Sequence, residues 1–324
     1  MDIGKKIKVA RTLRGLTIDE LCHEMTNGVS KMAISKYERG LMSPKNEVLS
    51  DIAQACKLDI DFFSRKTEDI NMLWFRNALK CDDADLTPLE EDIKEAVIEY
   101  YEAERLLGIK KDFTNPLSEI KIKDISDAQS AANILRQEWS LGCQPIVSVF
   151  ESLRINNIRV TEFYNSTINI DGVSAYYDGK CPFIFINTYK GATVERRRFT
   201  ALHELGHIML NFHKDLNSKQ IEKLCNVFAG TMLIPSNALC ARLGLQRDDI
   251  NLEEFISIRN LYGISIAATI YRALENHIIN TNTATRLYND LIKTNELEKG
   301  WGEYPLAEIA DELPIMKSRL KLNL

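Results

Sequence analysis

The sequence predicts an α+β fold dominated by helix, with an all-α head and a body built around a small sheet. Three observations carry this prediction. Residues 1–63 read as five short helices joined by tight turns. From about residue 127 the texture mixes helices with three short runs of strand-forming residues. One helix of that body carries a compact cluster of histidine and glutamate. The chain has 324 residues, about twice a typical domain, so two domains are expected.

In chain order, Ile3, Ile7 and Ala10 begin the apolar stripe of a first helix. Thr17 followed by Glu20 is a capping box that opens a second helix, running through Met25. Asn27-Gly28 reads as a turn. Ser30 caps a third helix that reaches Arg39, and Gly40 stops it. Pro44 opens a loop before a fourth helix (Val48, Leu49, Ile52, Ala53), and Asp59 to Phe63 is a short fifth. Thr87, Pro88 and Glu90 form the next helix start, with Pro at the first helical position, and Leu89 to Leu107 is helical and highly charged. Residues 108–123, with Pro116 inside, read as linker. Ala128 to Trp139 and Pro145 to Leu153 are predicted helices. Ile158 to Phe163, Val173 to Tyr177 and Phe183 to Ile186 are predicted strands, with Asp178-Gly179 as a hairpin turn. Helices resume near Thr193 and dominate to the end. No internal repeat or low-complexity tract is present.

Composition narrows the function classes. Apolar residues make up 45%, ordinary for a globular protein and against a disordered chain. No apolar run approaches the roughly 20 residues of a membrane span. Met1 to Lys6 are charged and precede no apolar stretch, so no secretory leader is expected. Seven cysteines lie scattered without any C-x-x-C, which suits free thiols in a reducing cytoplasm. The net charge of −5 hides an asymmetry. Residues 1–66 carry 12 Lys/Arg against 9 Asp/Glu, and the remainder carries 29 against 37. A mildly basic head on an acidic body points to separate partners for the two parts.

The most informative stretch is Ala201-Leu202-His203-Glu204-Leu205-Gly206-His207-Ile208-Met209-Leu210. It contains H-E-x-x-H. On a helix, positions four apart differ by about 40° in azimuth and about 6 Å in rise. Both imidazoles can then reach one Zn²⁺, with Glu204 as general base toward a water. The surrounding apolar residues would bury this helix, and buried polar groups are costly without partners. Two third ligands compete. His213 follows His203 by ten residues, but Leu210 stands where a sharp turn would need glycine, so the helix is expected to continue and carry His213 away. Glu222 is favoured. Ile221, Leu224, Cys225, Phe228 and Met232 form an apolar stripe behind an Asn217–Gln220 capping box. Glu222 and Asn226 share a face of that helix, so Asn226 is expected to hydrogen-bond a ligand histidine. His213 or a tyrosine is then a candidate transition-state stabiliser. A substrate would lie extended, pairing with a strand edge such as Phe183 to Asn187. Arg196, Arg197 and Arg198 are read as charges of a helix start, one of them a candidate contact to substrate or to a nearby carboxylate.

Around these residues the chain resembles the ImmA/IrrE family of zinc peptidases. The resemblance rests on Arg196 through His207, on Glu222-x-x-Cys225-Asn226-x-Phe228-Ala229, and on Leu233-Ile234-Pro235, with Leu135-Arg136-x-x-Trp139-x-Leu141-Gly142 and Ile184-Phe185-Ile186-Asn187 upstream. The family commonly has alanine where Cys225 stands. Residues 1–66 resemble the XRE/Cro-like helix-turn-helix through Ile7, Arg11, Leu16-Thr17, Leu21, Ile34-Ser35-x-Tyr37-Glu38-Arg39-Gly40, Pro44 and Ile52-Ala53. Ile18 stands where that family often has glutamine.

These resemblances imply an α+β, mostly helical chain: a five-helix helix-turn-helix domain (1–66), a helical connector and linker (67–126), a zincin-like metallopeptidase domain with a small sheet (127–290), and a C-terminal tail without assigned role (291–324). They imply Zn²⁺ held by His203, His207 and Glu222, with Glu204 catalytic. Ser30, Lys31, Met32, Ser35 and Lys36 would face the DNA major groove, with Arg39 and Lys45 on phosphate. The expected partners are a double-stranded DNA operator, a repressor-like protein substrate and a second copy of the chain, with no membrane. The implied function is a regulator with zinc-dependent endopeptidase activity, cutting a repressor or itself in a stress or phage response. The alternative is a DNA-binding repressor or antitoxin-like regulator whose peptidase fold only senses or binds a partner.

Overall fold

The computed structural model describes residues 3–64, 70–72, 87–168, 170–189, 192–309 and 312–322. The rest of the connector, Cys81, and the side chain of Thr87 in its expected capping box lie outside the described residues.

The head forms as its local signals direct. Helix α1 (Ile3–Leu13) buries Ile7, Ala10 and Leu13, while Ile3 stays partly exposed. Helix α2 (Ile18–Glu24) starts at the Thr17–Glu20 capping box. Helix α3 (Lys31–Glu38) is capped by Ser30 and ends at Arg39. Helices α4 (Asn46–Ala55) and α5 (Asp61–Ser64) complete the five. Two contacts pin the turns. Arg11 meets Glu38 through two nitrogens, at 2.7 and 3.0 Å, and donates to the Leu16 carbonyl. The buried Asp51 carboxylate accepts the backbone N–H groups of Thr26 and Asn27 and the Thr26 hydroxyl.

The body is built on a four-stranded sheet. Strand β1 (Ile70–Met72) comes from the connector, ahead of helix α6 (Thr87–Leu106). After α6, strand β2 (Lys121–Ile122), helix α7 (Ile125–Glu138) and helix α8 (Val149–Ile155) lead to β3 (Arg159–Phe163). Strands β4 (Gly172–Tyr177) and β5 (Cys181–Asn187) form the expected hairpin, with Asp178 and Gly179 at φ 52° and 61°. The order is β1-β4-β5-β3, with only β3 and β5 parallel. Strand β5 is therefore flanked on both sides. Phe183 to Asn187 offers no edge to a peptide, and the expected substrate pairing there is corrected: its hydrogen-bonding groups are already used by β3 and β4.

Alternation along the strands splits the sheet between two cores. Val160, Ile184 and Ile186 face helices α7 and α8 together with α9 (Val194–Met209) and α10 (Ser218–Leu233). Val173, Ala175, Phe183 and Phe185 face the other way, into a core shared with α6 and the five-helix head. On α6, Leu89, Ile93, Val97, Tyr100 and Ala103 recur at helical spacing and are buried there. Each large one contributes roughly 1.5–3 kcal/mol. Lys5–Glu91, Lys8–Glu95 and Thr12–Glu99 contacts line the α1–α6 seam. The stretch expected as linker is also packed, with Leu117 and Ile122 in the body core.

Helices α11 (Ser236–Leu243), α12 (Leu252–Tyr262), α13 (Ile266–Glu275) and α14 (Thr281–Leu287) enclose the front core. The C-terminal segment then runs back over the body. Glu298 accepts the N–H groups of Ile266 and Ala267 at the start of α13. Glu308 does the same for Val149 and Phe150 at α8, and it pairs with the fully buried Arg198. Helix α15 (Leu313–Leu322) ends the path by setting Leu313, Met316 and Leu320 into the core of the head. Among the described residues no single helix is long and apolar enough to cross a membrane.

Candidate metal centre

Helix α9 carries His203, Glu204 and His207, and helix α10 crosses it with Glu222, Cys225 and Asn226. Gly206 lets the two helices approach, because a Cβ there would sit 3.1 Å from Cys225 Sγ. His203 Nε2 and His207 Nε2 lie 3.1 Å apart. Glu222 places Oε2 3.3 Å from the first and Oε1 3.2 Å from the second. The three donor atoms lie within 4.8 Å of one another.

The donor set fits a divalent zinc ion in its chemistry. His203 Nδ1–H donates to Asn226 Oδ1 at 2.9 Å, which leaves the Nε2 lone pair directed at the cluster. Glu222 Oε1 is buried and faces only the His207 ring nitrogen, with no well-formed hydrogen bond, as a carboxylate oxygen that serves a cation would be. Burial raises the Glu222 pKa, but the two imidazoles outweigh it and bring the carboxyl down to about 2. Burial likewise disfavours a charged His203, yet Glu222 and Glu204 raise its pKa above the ordinary 6.5.

Glu204 does not join this triangle. It is buried, and its Oε2 accepts the Ser174 hydroxyl at 2.7 Å. Strand β4 can supply that contact because residue 172 is glycine: a Cβ there would meet Thr200 Cγ2 at 2.6 Å and Glu204 Cγ at 3.0 Å.

His213 is absent from the cluster, and the physical reason differs from the expected one. Helix α9 stops at Met209. Leu210 is extended (φ −84°, ψ 130°), so the helix does not continue through it. The chain turns into β6 (Asn211–Phe212), which pairs in parallel with β2, and His213 N–H donates to the Ile122 carbonyl. Its ring faces Asp215 at 3.3 Å.

Other expected positions resolve individually. Cys225 Sγ lies 3.5 Å from His207 Nδ1, a contact that alanine would not offer, and burial pushes its thiol well above the usual range. Arg196 pairs with Asp171, Arg197 with Glu162 and Arg198 with Glu308. Tyr176 points its hydroxyl at the Ile208 carbonyl, 3.4 Å away. Sequence reasoning missed Ser174, whose signal was only its place in a predicted strand, and Gly172, which lies one residue before that strand's expected start.

On the head, Lys31, Met32, Lys36, Arg39 and Lys45 are exposed, and Ser35 is half-buried. Ser30 uses its hydroxyl on the Ala33 N–H as helix cap. Lys31 pairs with Asp19, so one of the two lysines of that face is already partnered.

Residues 7–63 match the helix-turn-helix family, and residues 156–274 match the peptidase family described as the IrrE N-terminal-like domain. No curated protein matches the chain. The protein thus joins an XRE-type helix-turn-helix head to an IrrE/ImmA-like peptidase-family domain, in that order.

Proposed function

We propose that the chain is a cytoplasmic DNA-binding regulator whose body is a zinc-dependent endopeptidase acting on a repressor-like protein or on itself. The observation that carries the reading is the convergence of His203, His207 and Glu222 next to a separate buried carboxylate, Glu204. A site with three donors that also leaves a base beside it suits hydrolysis better than a closed structural site. When bound, zinc would polarise a peptide carbonyl and acidify a water. The chain supplies the rest. Glu204 accepts the proton of the attacking water and returns it to the leaving amine. The Ser174 hydroxyl fixes the orientation of Glu204. Asn226 holds His203 in the tautomer that presents Nε2. The head, by its family, brings the chain to double-stranded DNA, where we infer binding as a homodimer on a two-fold site. Joined to such a head, cleavage would serve a response to stress or phage.

Wild type and Glu204→Gln, expressed in the native host under DNA damage or phage challenge, separate the readings. The variant keeps zinc and fold but lacks the base. Repressor-like fragments seen by mass spectrometry only with wild type are the expected result. Identical fragments and transcription from both would leave a non-catalytic regulator.

A further inference from the structure

The C-terminal helix does not share the charge of the body that leads to it. Residues 313–322 hold Lys317, Arg319 and Lys321 and no acidic residue, whereas residues 67–312 hold 26 Lys/Arg against 37 Asp/Glu. Helix α15 packs on the basic head, and counting it there raises the head's balance from 12 against 9 to 15 against 9. Its seat is fixed. Leu313, Met316 and Leu320 are buried in the head's core, Lys317 pairs with Glu99 of α6 at 2.7 Å, and Arg14 donates to the Leu320 carbonyl at 3.4 Å. One turn beyond Lys317, on the same flank of the helix, the exposed Lys321 reaches the joint between α1 and α2. Gly15 turns the chain there at φ 62°, and a Cβ on it would overlap Lys321 Cε and Nζ. Hydrogen bonds with Thr17 hold the Glu20 carboxyl below its usual range, and the nearby Lys321 charge adds to the effect.

We propose that α15 completes the DNA-contacting surface of the head, with the Lys321 ammonium on a backbone phosphate beside the start of α2. The inference rests on the DNA-binding reading and adds to it a contact from outside the head. When the second helix of a helix-turn-helix enters the major groove, the first crosses the sugar–phosphate backbone. The α1–α2 joint therefore comes close to phosphate. The head alone is poorly suited to that neighbour. At the start of α2, Ile18 offers no hydrogen bond, and Asp19 and Glu20 are acidic. Two carboxylates beside a phosphate repel it. Lys31 already offsets Asp19. Lys321 stands where it offsets Glu20 and still presents its ammonium to solvent. A lysine binds phosphate as a point charge on a flexible stem, so the contact fixes position and carries no base preference. The two ends of the chain then meet on one nucleic-acid face. The strap that carries α15 ties this face to α8 and α9 through Glu308.

The test uses the full chain and a mixed-sequence DNA duplex of about 30 base pairs, because a phosphate contact is read without knowing the operator. Affinity is followed by fluorescence anisotropy over a range of salt, with thermal unfolding measured alongside. Lys321→Ala should lower the salt slope by about 0.9. Raising salt from about 50 to about 200 mM should then cost the variant about threefold less affinity than it costs wild type. Lys321→Arg should restore the wild-type slope. Arg319→Ala is the control. It removes the same charge from the same helix, but two positions along a helix is about 200° of azimuth, so Arg319 lies on the opposite flank. Its slope should match wild type. A slope unchanged in Lys321→Ala, while the joint replacement of Lys31 and Lys36 by alanine lowers it, would overturn this inference alone. An equal fall in Arg319→Ala would also overturn it, since net charge rather than placement would then set the slope. A wild type that binds no duplex would bring down the DNA-binding reading, and this contact with it.

Discussion

A zinc ion bound as proposed and a proton would compete for the same nitrogen of His203. The Nδ1 side is committed to Asn226, so protonation falls on Nε2, where the metal would bind. Glu222 and Glu204 raise this imidazole's pKa above 6.5, and Glu222 itself, near 2, stays ionised throughout. The sign follows directly: above the raised pKa the site is free for metal, and below it a proton must first leave. Zinc affinity is therefore expected to fall as pH drops through a value above 6.5, with proton release on binding. Calorimetry in buffers of different ionisation enthalpy measures both. An affinity flat between pH 8 and about 6 would contradict this account. The convergence of His203, His207 and Glu222 was legible at this scale because the i, i+4 spacing on two amphipathic helices is local information. Ser174 was not, since only the three-dimensional approach of β4 over Gly172 gives it a role. His213 shows the converse: its exclusion was expected from a continuing helix, whereas a strand pairing with β2 holds it away.

At the scale of elements, the head rests on one buried carboxylate that no motif announced. Burial raises the Asp51 pKa, but the Thr26 and Asn27 N–H groups and the Thr26 hydroxyl lower it below the ordinary value. Asp51→Ala strands those donors at the turn before α3. A loss of about 1–3 kcal/mol in denaturant unfolding is expected, with zinc content unchanged. A change within error would mean that water replaces the carboxylate at no cost. The exposed face of α3 makes a separate prediction. Replacing Lys31 and Lys36 with alanine should weaken DNA binding and lower the salt slope by about 2. Asp19, already paired with Lys31, moderates the first term. An unchanged slope would place the DNA surface elsewhere. The second and third helices of the head were readable from their caps, Thr17 and Ser30, and the others from the spacing of their apolar residues. The three-residue β1 was not, for it is too short to show alternation.

Across the whole molecule, the head and the body share a core rather than hanging from a linker. The back of the sheet, α6, the head and α15 bury their apolar faces together. The front of the same sheet carries Ser174 against Glu204. The described part of residues 291–324, whose role the sequence left open, forms a strap: Glu298 and Glu308 each close a helix start far away in the chain. Such contacts span more than thirty and more than a hundred and fifty positions, so no local periodicity encodes them. The central claim, that the body holds a catalytic zinc at His203, His207 and Glu222, is tested most directly by metal analysis of three purified proteins. Wild type should hold about one zinc per chain, His213→Ala should match it, and Glu222→Ala should lose most of it while remaining folded by circular dichroism. Zinc that survives Glu222→Ala but vanishes in His213→Ala, or a wild type that binds none, would contradict the account.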